Sequence, residues 1–390
     1  MRKSLILLFV LLLVVSFLNA KAYDIDFNQT NNSTYRLQFN LEDYNIKTVT
    51  KNNKQFTNVN FDSAVKTKKK GFAELPYANT SVQLTDNQNV DVRIISIDYQ
   101  EIALDNPMLP SRGILYRNQD IEQIPYTISE AANTNSLYPE SLVKSSDPYI
   151  LRNVRGTNIY FYPFRYNQAQ QTLRIYRNIE VELVKNNSNP INPLRDIGTV
   201  PPEMNEMYKT AFINYETERF EHELADFGSI LVIRTSRDET AIQPYIEWKT
   251  QKGHTVYEEE VSPGTNVESL IQDMYDDHND ILYVQLVGDW ADIQGPTNGY
   301  APVDPNMGCV VGTDIYPDLI IGRFSGNSAD DITVMVDKTI TYERDATSET
   351  WYSKGLGIGS EQGSGQGDDG EADYTHIDII KENKLLPFTY

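Results

Sequence analysis

Residues 229–261, SILVIRTSRDETAIQPYIEWKTQKGHTVYEEEV, decide the fold. SILVIRTS is a continuous apolar run, short enough for a strand and apolar enough to be buried on both faces. AIQPYIEWKTQKG then spaces its apolar residues as a helix does and closes at Gly253, and HTVYEEEV returns as a second strand. A strand, a helix and a strand of this kind form the unit from which open parallel sheets are built.

The pattern continues outward from there. NVESLIQDMYDDHND (266–280) reads as a second helix and ILYVQLVGD (281–289) as a third buried strand. CVVGTDIYPDLIIGRFS (309–325) supplies a further strand or hairpin, and SADDITVMVDKTITYERD (328–345) a long helix that Ser328 can cap. SKGLGIGS (353–360) reads as another buried strand, followed by a glycine-rich loop and a helix start. Ligands of such sheets sit beyond the carboxyl ends of the strands, where Gly288-Asp289 and the glycine-rich loop both fall.

Toward the N-terminus the texture changes. STYRLQFNL, TSVQLTD, VDVRIISIDYQEIAL, TNIYFYPFRYN and QTLRIYRNIEVELV alternate apolar and polar residues at period two, with Asn, Gly, Asp and Pro between them. This predicts an antiparallel sandwich or jelly-roll over 23–185. NNSNPINPLRDIGTVPP (186–202) reads as a linker, and MNEMYKTAFINYETERFEHELADF (204–227) as a charged, exposed connecting arm. The fold class expected is therefore α+β multidomain: a β-rich domain, a linker and arm over 186–227, and an α/β domain over 228–390.

Residues 1–22 carry two basic residues, an unbroken apolar run and Ala20-Lys21-Ala22, a small-x-small site. They read as a secretory signal cut at Ala22, since the apolar run falls short of the ~20 residues of a spanning helix. No membrane span is expected once the signal is removed. With 34 Lys+Arg against 55 Asp+Glu the formal charge is −21, which argues against nucleic acid or an anionic membrane as partner. The single cysteine, Cys309, excludes an intrachain disulfide framework, and a cysteine-poor exported chain suits a bacterial source, secreted or at the cell surface.

The loop QGSGQGDDGEAD (362–373) admits several readings. Gly365-Gln366-Gly367-Asp368-Asp369-Gly370 formally satisfies a dinucleotide motif, but Asp368 and Asp369 would face a pyrophosphate of like charge. Asp368, Asp369 and Glu371 suit a structural calcium ion, although their spacing is not that of an EF-hand. A solvated turn is the plain alternative. In the remaining reading Asp373, in the first turn of the next helix, offers a carboxylate to a basic substrate side chain.

A resemblance favours that last reading. ILYVQLVGDWADI (281–293), DIYPDLIIGRFSGNSADDITVMVDKTITYERD (314–345) and GLGIGSEQGSGQGDDGEAD (355–373) carry V-G-D, G-R-F-S, Y-E-R and G-E-x-D in the order found in gingipain-type cysteine peptidases. VRGTNIYFYPFRYN (154–167) and LRIYRNIEVEL (173–183) resemble the propeptide domain of that family. The resemblance implies an incomplete caspase-like α/β domain behind a propeptide, and a zymogen whose peptidase cuts after Arg or Lys with no required cofactor. The propeptide would act as its inhibitor, and proteins or peptides bearing Arg or Lys before the scissile bond as its substrates. It also implies that Asp373 receives the basic side chain, with Ala372 where the family has Ser. Cleavage after Arg219 would release the propeptide, and a basic side chain such as Arg152 or Arg155 is a guess for the inhibitory contact.

The family's catalytic His and Cys lie downstream of the G-E-x-D loop, so both are expected beyond Tyr390. No substitute dyad stands out before that point. Cys309 lies in the apolar run GCVVG and reads as an inert buried thiol. His254 and His278 read as surface residues, His376 can pair locally with Asp373, and His222 belongs to the charged arm. Two alternatives remain: a non-catalytic surface or adhesion protein, and a sortase-like relative that processes exported proteins.

Overall fold

The computed structural model describes residues 22–31, 34–116, 119–120, 123–186, 188–195, 200–215, 227–299, 301–345, 354–361 and 371–386. The N-terminal domain holds β1 (Tyr23–Asn31), β2 (Thr34–Leu41), β3 (Asn45–Lys51), β4 (Lys54–Asn60), β5 (Val65–Lys66), β6 (Pro76–Gln83) and β7 (Asn89–Ala103). After these come β8 (Leu137–Tyr138), β9 (Val143–Ser145), β10 (Tyr149–Leu151), β11 (Val154–Phe161), β12 (Phe164–Asn167) and β13 (Thr172–Asn186).

Two antiparallel sheets face each other. One runs β1-β2-β13-β12-β8 with β7 on the other edge of β13, and the second runs β10-β11-β6-β5 with β9 on β11. In β2 the period-two pattern does what it predicts, whereas β7 is exposed along most of its length. Along β2, Tyr35, Leu37, Phe39 and Leu41 are buried while the residues between them are only half-buried. They meet Val82, Ile159, Phe161, Ile179, Val181 and Leu183 in one core, with Phe39 stacked on Phe161 at 5.3 Å. Burying each such side chain contributes about 1.5–3 kcal/mol.

The segment after β13 is less of a linker than its prolines suggest. Helix α1 (Pro202–Ala211) starts at a proline pair and buries Met204 and Tyr208. With Phe212 these residues join Tyr149 and Val154 of the first domain and Leu282 of the second in a single apolar cluster. The exposed arm expected over 204–227 is therefore, in its described part, a wedge between the two domains. Its buried apolar residues fall on one face, and both domains supply surface to cover that face.

The second domain is a parallel sheet ordered β15-β14-β17-β19, built from β14 (Ser229–Arg234), β15 (Val256–Glu260), β17 (Ile281–Val287) and β19 (Ile320–Phe324). Short strands β16 (Thr265–Asn266) and β18 (Ile293–Gln294) pair beside it. Helices α2 (Glu239–Gln251) and α4 (Ala329–Arg344) cover one face, where Ile230 and Val232 meet Ile242, Tyr245, Ile332 and Val336. Helix α3 (Glu268–Asp277) lies on the other, where Leu231 and Ile233 meet Ile271. Alternate residues of one apolar run thus serve opposite faces, as a doubly covered strand requires. Ser328 caps α4 by accepting the Asp331 N–H, as expected.

The strand expected over 353–360 does not form in its described part. Residues 354–361 have no ladder, and Leu356 and Ile358 are 87% and 82% exposed. The segment lies along α5 (Asp373–Ile380) instead, where a Cβ on Gly357 would come within 2.2 Å of Ile377. Three glycines in six residues weaken strand pairing and permit this close approach.

Candidate active site

The strand order places a topological switch between β14 and β17, whose carboxyl ends are Arg234 and Val287. Gly288 follows β17 at φ +125, and a Cβ there would lie 2.8 Å from that of Asp292. Only glycine suits this backbone, and its turn carries Asp289 onto the rim. The V-G-D and G-R-F-S motifs meet here. Gly288 N–H donates to the Phe324 carbonyl at 2.9 Å, and Ser325 Oγ donates to Asp289 Oδ1 at 2.9 Å. Arg323 donates to the Gly288 and Ile293 carbonyls at 3.0 and 3.1 Å while gripping Asp304 through two nitrogens at 2.7 and 3.0 Å.

A second arginine fills the space behind the rim. Arg237 forks onto Asp238 at 2.9 and 2.8 Å and onto Asp292 at 3.2 and 2.9 Å, and donates to the Gly326 and Asn327 carbonyls. Asp238 is fully buried, so this fork is what permits a carboxylate there. The Trp290 N–H, and after it the Ser325 hydroxyl, hold the Asp289 carboxyl below the usual carboxylate range. Burial would raise the Glu343 carboxyl of the Y-E-R motif, but donation from Lys249, Lys252 and Trp248 outweighs it and brings it down to about 2. Glu343 thereby ties α4 to α2 and has a supporting position rather than one at the rim.

Asp373 is the first residue of α5, after Ala372 at the N-cap, and is half-buried. Its place in the first turn is the one expected for an acid favoured by the helix N-terminus. His376 has its Nδ1 2.5 Å from Oε1 of Glu371, a carboxylate two residues before Asp373. Arg219, His222, Gly365, Gly367, Asp368, Asp369 and Gly370 lie outside the described residues, as do residues 1–21. Ala22 is buried, and its carbonyl accepts the N–H groups of Glu42 and Asp43. Among the described residues there is no group of three or more His, Cys, Asp or Glu side chains placed to hold a metal, and no helix long and apolar enough to cross a membrane.

Cys309 is half-buried, and its thiol is pushed up by burial and by Asp318 and Asp314, the reverse of an activated nucleophile. His254 is 9% exposed rather than a surface residue. It packs between Phe227 and Tyr283 and shares a 2.8 Å hydrogen bond with the Gly228 carbonyl. His278 is half-buried and stacks on Tyr257 at 4.2 Å.

Neither Arg152 nor Arg155 reaches Asp373. Arg155 is fully buried in its own domain, where its nitrogens donate to the carbonyls of Thr85, Gln88, Ile191 and Asn192 and to Asn89 Oδ1. Arg152, at the β10–β11 turn, crosses to the second domain but arrives at the amino ends of the strands, donating to the carbonyls of Ile281 at 2.7 Å and Asn279 at 2.8 Å. Asp318, which sequence reasoning passed over, accepts the Arg152 N–H at 2.7 Å. The one sign of it was an acid set directly before the apolar strand LIIGRF.

Residues 23–220 match the Propeptide_C25 family and residues 225–387 match Peptidase family C25. Gingipain R1 of Porphyromonas gingivalis is 32% identical over 371 residues, which are 93% of this chain and 37% of that protein. Lys-gingipain of the same organism is 24% identical over 343 residues, covering 83% of this chain and 20% of its own length. Among solved structures, the complex of Porphyromonas gingivalis RgpB pro- and mature domains is similar at 27% identity and a TM-score of 0.45, covering 49% of this chain and 98% of that one. The chain spans less than half the length of the curated relatives it matches. It belongs to the gingipain-type cysteine peptidases of family C25, and carries that family's propeptide domain followed by peptidase-domain sequence.

Proposed function

We propose that the chain is the propeptide and leading peptidase portion of an exported bacterial zymogen that hydrolyses peptide bonds after basic residues. Consecutive matches to a propeptide and to its own peptidase carry this reading. Greater identity to Gingipain R1, 32%, than to Lys-gingipain, 24%, favours Arg over Lys before the scissile bond. Asp373 is the pocket acid: a carboxylate in the first turn of a helix can take a guanidinium through two parallel hydrogen bonds. Ala372 lacks a hydroxyl to share in that recognition.

The nucleophile is a thiolate made by a neighbouring histidine, both supplied by sequence after Tyr390. The thiolate attacks the carbonyl carbon, the protonated histidine gives its proton to the departing amine, and water then releases the acyl group. The V-G-D and G-R-F-S turns form the scaffold of the rim and perform no proton transfer. A leader cut at Ala22 and a second cut after Arg219 complete maturation. Structural calcium, with Asp368 and Asp369 as candidate ligands, is a subsidiary proposal.

The test is to extend the reading frame past Tyr390, express that chain and assay peptides bearing Arg or Lys before the bond. Thiol-dependent cleavage that Asp373→Ala lowers by about 100-fold or more, the order of a lost desolvated charge pair, is the expected result. Cleavage indifferent to Asp373 would remove it from the pocket, and no cleavage at all would overturn the function.

A further inference from the structure

Most edge strands of the two β-sheets in the first domain are guarded. β5, β8, β9 and β10 are two or three residues long, and β1 carries Asp24 and Asp26. Short length and charge are what keep a sheet edge from pairing with another chain. β7 is long instead, and its few charges are of both signs. It runs for 15 residues without Pro, Gly or Lys, pairs with β13 on one side, and has no second ladder among the described residues.

The two faces of β7 differ. Ile94 pairs with Val181, Ile97 with Ile179 and Tyr99 with Tyr176, so these three share the apolar face of β13. Their partners are buried, yet Ile94, Ile97 and Tyr99 stay 47%, 44% and 44% exposed. Arg93, Ser96 and Asp98 lie on the other face, opposite Glu182, Glu180 and Asn178, and Arg93 and Ser96 donate to the first two. A β-bulge leaves Ile95 without a residue opposite it on β13. Pairing continues on both sides, so the bulge twists the edge without ending it.

We propose that β7 is the surface through which two copies of this chain associate, the strands running antiparallel about a two-fold axis at Ser96. With the bulge counted as one position, Ser96 faces its counterpart, Ile97 faces Ile94 and Ile95, Tyr99 faces Val92, and Arg93 faces Asp98 on each side of the axis. Apolar residues thus meet on one face, opposite charges on the other, and no like charges are opposed. Neighbouring axes lose this match. One at the bulge sets Asp91 against Asp98, and one at Ile97 sets Arg93 against Gln100 and Glu101 against Val92. A second copy is the occupant that fits, because the strand's own order of charges is what complements it.

A strand pair is a small interface, so the dimer is expected to form at on the order of 10 μM. Sedimentation equilibrium of the exported chain over a dilution series reads this. Asp98→Arg sets like charges opposite each other and should weaken association by about 30-fold or more. Residue 98 is exposed, so the fold should tolerate the change, and a thermal melt checks it. Register is read by disulfide formation in a Cys309→Ser background. Ser96→Cys should give a covalent dimer on mild oxidation, whereas Ala103→Cys, roughly 45 Å from its counterpart, should not. A wild type that stays monomeric to about 100 μM leaves the edge to some other partner and overturns the proposal. Asp98→Arg association as tight as wild type, or Ala103→Cys linking as readily as Ser96→Cys, overturns it as well. No peptidase activity is read, so the proposed function and this interface fail independently.

Discussion

The two ends of the parallel sheet are solved in opposite ways. At the amino ends of β17 and β19, charge is buried by another domain: Arg152 donates to backbone carbonyls, Asp318 accepts backbone N–H groups, and their side chains are satisfied chiefly by main chain. At the carboxyl ends the same sheet neutralises itself, with Arg237 forked onto Asp238 and Asp292 and Arg323 onto Asp304. A closed end of this kind depends on a partner, whereas a self-paired end keeps its shape when the partner leaves.

Each of four measurements can break or sharpen that contrast. The largest effect is expected for Asp318→Ala, which leaves three backbone N–H donors without their acceptor. Urea denaturation should show a loss of about 3–5 kcal/mol at 1–3 kcal/mol per orphaned group, discounted for relaxation. A loss under about 1 kcal/mol would mean that water already reaches the amino end.

Next comes Arg237→Ala, which strands the buried Asp238. Because the arginine side chain is 33% exposed, the cost should be about 2 kcal/mol rather than the 3–5 of a fully buried pair. Urea denaturation of the whole chain reads this as well. A loss under about 0.5 kcal/mol would mean that Asp238 does not depend on the fork.

Gly288→Ala should cost about 1–3 kcal/mol, because alanine at φ +125 is strained and its Cβ would press on Asp292. Circular dichroism melts of the whole chain would read this. An unchanged melting temperature would mean that the V-G-D turn is not rigid.

The remaining contrast is in pH dependence, where the Asp318 and Glu343 carboxyls have opposite signs. Burial pushes the Asp318 carboxyl up to about 7 against the pull of three N–H groups, with Asp314 adding to the rise; Arg152, Cys309 and Tyr208 are its other charged or titratable neighbours. A raised carboxyl stabilises the fold below its ordinary value and loses that contribution as pH rises through about 7. The stability of the wild type relative to Asp318→Asn should therefore fall between pH 4 and 7. Glu343, held down to about 2, contributes above its ordinary value and loses this as pH falls toward 2. Relative to Glu343→Gln, stability should drop on acidification, and matching slopes for the two pairs would contradict both assignments.

The parallel strands were legible because burial on both faces leaves an unbroken apolar run, as in β14, and the sandwich strands because burial on one face leaves alternation, as in β2. Ser328, Gly288 and the first-turn place of Asp373 were legible for a similar reason: caps, positive-φ turns and helix starts are settled by a few neighbouring residues. Residues 354–361 misled because their apolar residues alternate with glycine, and a strand needs a neighbour as well as a pattern. His254 misled because a polar ring at a strand start reads as surface until Phe227 and Tyr283 close on it.

Arg152 and Arg155 show where the division falls. Three residues apart in LRNVRG, they carry the same charge on the same hairpin, and nothing local tells them apart. One finds carbonyls within its own domain and the other reaches Ile281, 129 residues further along the chain. The sequence by itself determined most of the elements, the order of the two domains and the acid at the start of α5, since these depend on steric and hydrophobic rules acting over a few residues. Only the tertiary structure decided which buried charge seals which end of the sheet, because a guanidinium takes the acceptors that folding brings within 3 Å, however distant they are in the chain.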